Sequence, residues 1–266
     1  MKKFLISTII TLCVTASFGQ SKIKQEKTTF DWSPFDISTT SIPVGYKGHD
    51  CRSIASILKK QKTEKDEFET TEEYRSRISE ISLIPLGKSL SAGDKIAFRV
   101  EIDTDYGIKF LADERILFIM SRPEPTTMYV NGKSANWDSV VRFGEKERRY
   151  QASNAFGATV TVTRRDIKTC AVAFTNWGYA PHNTIDVVLR DVGSDVARRA
   201  KAGVSFLYIG TLQAPFVKEV YESTAPKMDW PLETHWTGDA LVMKLEQAWA
   251  VEKKTGEVLG KREFLD

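Results

Sequence analysis

The chain has 266 residues, of which 41% are hydrophobic and 27% charged, the ordinary composition of a globular protein. Its 38 basic and 35 acidic side chains become 36 and 35 once Lys2 and Lys3 are set aside with the leader described next, a net of +1. That balance gives no electrostatic case for nucleic acid or an anionic membrane surface as a partner.

Residues 1–19 have the layout of a secretory signal peptide. Lys2 and Lys3 precede an apolar run from Phe4 to Phe18, and small residues stand at Ser17 and Gly19. The run is about 15 residues, shorter than the roughly 20 a bilayer core requires, so it is expected to be cleaved. Cys13 lies inside the run, not just after it, which argues against a lipid anchor. The expected destination is the periplasm, or otherwise the medium, with no integral membrane segment after cleavage.

Residues 20–49 read as an extended N-terminal arm. Its start is polar, and Phe30-Asp31-Trp32-Ser33-Pro34-Phe35 then pins it to the body of the fold through aromatic side chains. The domain proper is residues 50–266, helical over 50–84 and mainly β over 95–266. Ile54, Ile57 and Leu58 form one helical face. Thr70 and Glu73 form a capping box ahead of the stripe Tyr74, Ile78, Ile81, and Glu73 to Arg77 is an i,i+4 pair.

From Ile96 the period changes to two. Ile96, Phe98, Val100 and Ile102 alternate with wetter residues, and Ile116 to Met120 reads as a strand buried on both faces. Asn131-Gly132 is the strongest hairpin signal. Asp195 to Ala202, stopped by Gly203, is a short helix, and Val204 to Leu212 returns to strand. Leu241, Met243, Leu245, Trp249 and Val251 are expected on one face of a long strand that turns at Lys254-Thr255-Gly256 and pairs back. A weak echo between 96–120 and 204–251 suggests two β modules meeting near 190–203.

Two cysteines lie outside the leader, Cys51 and Cys170. In an oxidising compartment they are a disulfide candidate tying an early helix to a mid-chain strand, the alternative being two separate buried thiols. His49, His182 and His235 are far apart, and His49-Asp50-Cys51 lacks a second ligand pair, so no metal site and no cofactor are expected. A Cys51 nucleophile with His182 or His235 as base fits a compartment of disulfides poorly. No glycine-rich phosphate loop, dinucleotide fingerprint or nucleophile elbow is present, and the carboxylates are scattered. Arg148-Arg149 and Arg164-Arg165 read as a solvated face. Trp177, Tyr179 and Trp236 are expected in loops, where aromatic rings stack on sugars, dock a partner or plug the ends of the sheets.

The segment from Lys65 to Arg77, K-x-E-F-E-T-T-x-E-Y-x-x-R, resembles one found in uncharacterised exported bacterial proteins, where it joins a short helical section to a β-rich one. The hairpin from Val251 to Leu259 is similar to theirs in style. The resemblance implies compartment and fold and brings no activity with it. Taken together, the residues point to an α+β fold, a short N-terminal helical pair packed on a larger antiparallel β sandwich or partly closed barrel. The function expected is a non-enzymatic exported protein that binds an envelope protein or glycan. An envelope hydrolase acting on glycan or peptide, and a structural or assembly component, are the alternatives.

Overall fold

A computed structural model describes residues 29–121, 124–177 and 184–264. The leader expected over 1–19, His182 and Tyr179 lie outside the described residues. The elements in chain order are α1 (Cys51–Leu58), α2 (Thr71–Ser82), β1 (Pro85–Gly87), β2 (Leu90–Ser91), β3 (Lys95–Glu101), β4 (Ile108–Leu111), β5 (Ile116–Ser121) and β6 (Glu124–Val130). They continue with β7 (Lys133–Ser153), β8 (Thr159–Phe174), β9 (Ile185–Leu189), α3 (Ser194–Ala202), β10 (Val204–Thr224), β11 (Leu232–Glu252) and β12 (Val258–Glu263).

The protein is mostly β. A seven-stranded sheet runs β3-β10-β11-β8-β7-β6, with β12 added along β11, and a three-stranded sheet runs β4-β5-β9. No barrel closes among the described residues. The expected antiparallel pairing is corrected at one place, because β8 and β11 run parallel from Leu232–Thr163 to Met243–Phe174. Two long hairpins, β7/β8 and β10/β11, lie side by side, and it is their inner strands that meet in the same direction. Asn131 and Gly132 carry the β6/β7 turn with φ of 51° and 75°, the left-handed values a two-residue hairpin requires.

The main core lies between the two sheets and under α1. Phe98, Phe206, Tyr208, Met243 and Phe174 of the large sheet join Leu117, Ile119 and Val187 of the small one. Cys51, Ile54, Ala55 and Leu58 bring α1 into the same cluster, while Ile81 is the buried residue of α2. The capping box forms as read: Glu73 N–H donates to Thr70 Oγ1 at 3.2 Å, and Thr70 N–H to Glu73 Oε2 at 2.8 Å. With Glu73 so engaged, Arg77 turns to Glu69 instead, at 2.6 Å, and this corrects the expected i,i+4 pair. Strand β5 is also half wet: Leu117 and Ile119 are buried while Ile116, Phe118 and Met120 are only partly so.

The β11 stripe is split. Leu241, Met243 and Leu245 belong to the main core, but Trp249 and Val251 face the opposite side with Leu207 and Ile209. The cause is a bulge. Gly210 faces Leu245 and Ile209 faces Gln247, so Glu246 is the extra residue and the alternation flips there. A Cβ on Gly210 would sit 2.0 Å from the Lys244 carbonyl oxygen, so only glycine permits this approach. The face carrying Trp249 is covered by the N-terminal arm, where Phe35 meets the indole edge-on at 5.2 Å. His49, 1% exposed, locks the arm in place: its Nδ1 accepts from Ala97 N–H at 3.0 Å and its Nε2–H donates to Ser33 O at 2.9 Å.

Candidate functional site

The site is built around the disulfide. Cys51 opens α1 and is bonded to Cys170 of β8, with Cα atoms 6.1 Å apart. Cys170 faces Val141 on the β7 ladder, so the bond fixes the start of α1 over β7. There β7 is bulged twice within four residues. Ser139 pairs with Ala171 and Val141 with Cys170, leaving Val140 extra. Arg142 then pairs with Thr169 and Gly144 with Lys168, leaving Phe143 extra. Bulges bend a strand and re-aim side chains, and both extra residues line the groove between β7 and α1. Thr169 fastens the irregular stretch, its hydroxyl donating to Val141 O at 3.2 Å and accepting from Ser139 Oγ at 2.7 Å.

The groove has a volume of about 1340 Å³ and is walled by the arm around Tyr46, by α1, by the end of β3 and by the β7 bulges. Its charges are unevenly engaged. Asp50 caps α1, accepting from Arg52 N–H at 3.1 Å and Ser53 N–H at 3.2 Å. Asp239 holds Lys59 at 2.7 Å, and that hydrogen bond raises the lysine's pKa. Glu101 pairs with Lys253 and Arg99. Lys47, Arg52 and Lys60 also line the groove and form no ion pair among the described residues. Two of them lie over aromatic rings, the Arg52 guanidinium 4.1 Å from the Phe143 centroid and Lys47 Nζ 5.7 Å from that of Phe30. A guanidinium over a ring still has N–H groups to offer a carboxylate.

The reactive groups here are already committed. Cys51 is in the disulfide, Asp50 is a helix cap and both His49 nitrogens are bonded, so the His49-Asp50-Cys51 run serves as structure. Burial first, then the Asp31 carboxylate, push the Tyr46 hydroxyl well above its ordinary pKa and keep it a neutral donor. A second cavity of about 690 Å³ meets the groove at Glu101, Val140 and Val141. On its wall Ser121 Oγ and Asp138 Oδ2 each lie 2.7 Å from the Tyr208 hydroxyl, which burial keeps protonated.

The aromatic residues singled out in the sequence lie elsewhere. Trp236 is in strand β11, not a loop, and is 6% exposed. It packs edge-on against Trp137 at 5.8 Å under the Arg142 guanidinium at 4.5 Å. Trp177 is partly buried against Phe174 in a different cluster, so the two indoles do not converge. Of the basic pairs, Arg164 is engaged by Asp166 at 2.9 Å and Glu233 at 3.2 Å, and Arg165 by Glu147 at 3.3 Å. The groove-forming residues Arg52, Phe143 and Lys60 escaped sequence reasoning. The Cys51–Cys170 pair and the adjoining His49-Asp50 run marked the place.

Among the described residues no helix is long and apolar enough to cross a membrane, and no group of three His, Cys, Asp or Glu side chains is placed to hold a metal. Comparison of the chain with protein-family models, curated proteins and solved structures finds no match.

Proposed function

We propose that this chain is an exported, non-catalytic binding protein whose groove between α1 and the β7 bulges receives a carboxylate-rich ligand, the acidic segment of an envelope partner. The observation that carries this reading is the pattern of engagement. Every carboxylate, thiol and imidazole on the groove wall is held by a structural bond, while Lys47, Arg52 and Lys60 have no carboxylate partner among the described residues. The two packed sheets form a sandwich-like support whose buried strands hold the wall rigid. The disulfide supports export, since such bonds persist in oxidising compartments.

Calorimetric titration with short poly-glutamate and poly-lysine peptides tests the reading. Poly-glutamate should bind, weaken steeply as salt is raised, and lose affinity in Arg52→Glu and Lys60→Glu. Equal binding of both peptides, or poly-glutamate binding untouched by Arg52→Glu, would remove the basis of the proposal.

A further inference from the structure

We propose that the tips of the two long hairpins form a lipid-interface anchor, a property independent of the groove. Phe156, at the tip of the β7/β8 hairpin, is 96% exposed, and Trp230, at the tip of β10/β11, is 66% exposed with Met228 beside it at 45%. Because β8 and β11 run parallel, both tips lie at the same end of the molecule, with Thr163 N–H donating to Pro231 O at 2.9 Å. The first tip reaches about four residues, or about 13 Å, beyond the second, so the pair defines a line oblique to the strands.

In the wing between the tips and the core the outer strand β7 is wet on both sides, while its neighbour β8 buries Val162 and Ile167. From Glu145 to Gln151 every β7 side chain is exposed, although successive residues point to opposite faces. Several of the wing's charged groups pair with one another: Arg165 with Glu147, Arg164 with Asp166 and Glu233, and Tyr150 with Glu233 at 2.7 Å. The first tip is apolar, whereas at the second Trp230 and Met228 stand beside Lys227 and Asp229. Ala155-Phe156-Gly157-Ala158 carries no charge.

Two observations select a lipid surface over a protein. The first is that the tip backbone is already bonded within itself. Asn154 Oδ1 accepts from Phe156 N–H and Ala158 N–H, both at 3.0 Å, and Gly157 N–H donates to Asn154 O at 3.0 Å. At the other tip, Lys227 N–H donates to Trp230 O at 3.0 Å and Trp230 N–H to Lys227 O at 3.2 Å. Such bonding lowers the cost of bringing the loop down to the headgroup region. The second is area. Two aromatic rings offer about 150–250 Å² each, well under the roughly 800 Å² per partner of a stable protein interface. Interfacial insertion of Trp and Phe needs no complementary surface. Residues 145–168 and 220–235 together carry seven basic and six acidic side chains, a near balance that fits zwitterionic headgroups.

The test is co-flotation of the folded, disulfide-bonded protein with vesicles of phosphatidylcholine and phosphatidylethanolamine. The wild type is expected to float with the vesicles. Phe156→Ser/Trp230→Ser should reduce the bound fraction at least about tenfold, with an unchanged circular dichroism spectrum. Phe68→Ser, at an 87% exposed site outside the hairpins, should float like the wild type. A wild type that stays in the bottom fraction, as expected if the tips dock on a protein, overturns the proposal. So does equal flotation of all three proteins.

Discussion

Replacing both Cys51 and Cys170 by alanine tests the link between the staple and the groove. The bond joins residues 119 apart in sequence. On the loop-closure estimate, opening a ring of that size restores unfolded-state entropy worth about 5 kcal/mol at 25 °C, the upper end of what such bonds deliver. Both cysteines are 2% exposed, so alanine also leaves small voids in the core. The expected loss is therefore about 3–5 kcal/mol, a large part of the roughly 5–15 kcal/mol by which a domain is stable. Guanidinium unfolding of the oxidised wild type and the double variant, followed by tryptophan fluorescence, measures it. Freed from β8, the start of α1 should also drift from β7, separating Arg52 from Phe143, so poly-glutamate affinity should fall under conditions where the variant is still folded. A midpoint shift equivalent to less than about 1 kcal/mol, together with unchanged affinity, would show that α1 is positioned by its apolar face alone.

Gly210→Ala forces a Cβ to within 2.0 Å of the Lys244 carbonyl. It should cost about 1–3 kcal/mol or more, read as a lowered unfolding midpoint. Thr169→Val removes the hydroxyl that fastens the β7 bulges and should cost about 1–2 kcal/mol while weakening poly-glutamate binding, measured by calorimetry. His49→Ala releases Ser33 O and Ala97 N–H, so the arm should become open to limited proteolysis while Thr70→Ala, which loses only a helix cap, leaves it protected. Hydrogen bonding by Arg77 holds the Glu69 carboxyl below its ordinary 4.5. The unfolded chain therefore takes up that proton first as pH falls, and stability present above about pH 4.5 declines through the folded-state value. Glu69→Gln should flatten that acid limb in pH-dependent unfolding.

What could be read from the residues was whatever depends on near neighbours. The Thr70–Glu73 box, the Asn131-Gly132 turn and the Gly203 stop are each complete within four residues, and each forms. The Cys51–Cys170 bond was legible for a different reason: outside the leader only one pairing exists. Strand faces failed where a single inserted residue intervenes. Nothing in Leu245-Glu246-Gln247 announces a bulge, yet it sends Trp249 to the opposite side from Leu245. The same blindness hid the groove, because Val140 and Phe143 line it by virtue of two insertions relative to β8. Trp236 misled because an indole beside a histidine looks like loop sequence, whereas Trp137 and Arg142, about a hundred positions earlier, enclose it.

The order of strands gives the carboxyl-terminal hairpin a keystone's part. Strand β3 shares no ladder with β8. Each is joined to the large sheet through β10 and β11, which follow both of them in the chain. The Cys51–Cys170 bond ties α1 to β8 without either β10 or β11. A polypeptide halted before Val204 would thus present two unsatisfied strand margins to its surroundings, and its survival would rest on how soon β10 and β11 close the gap.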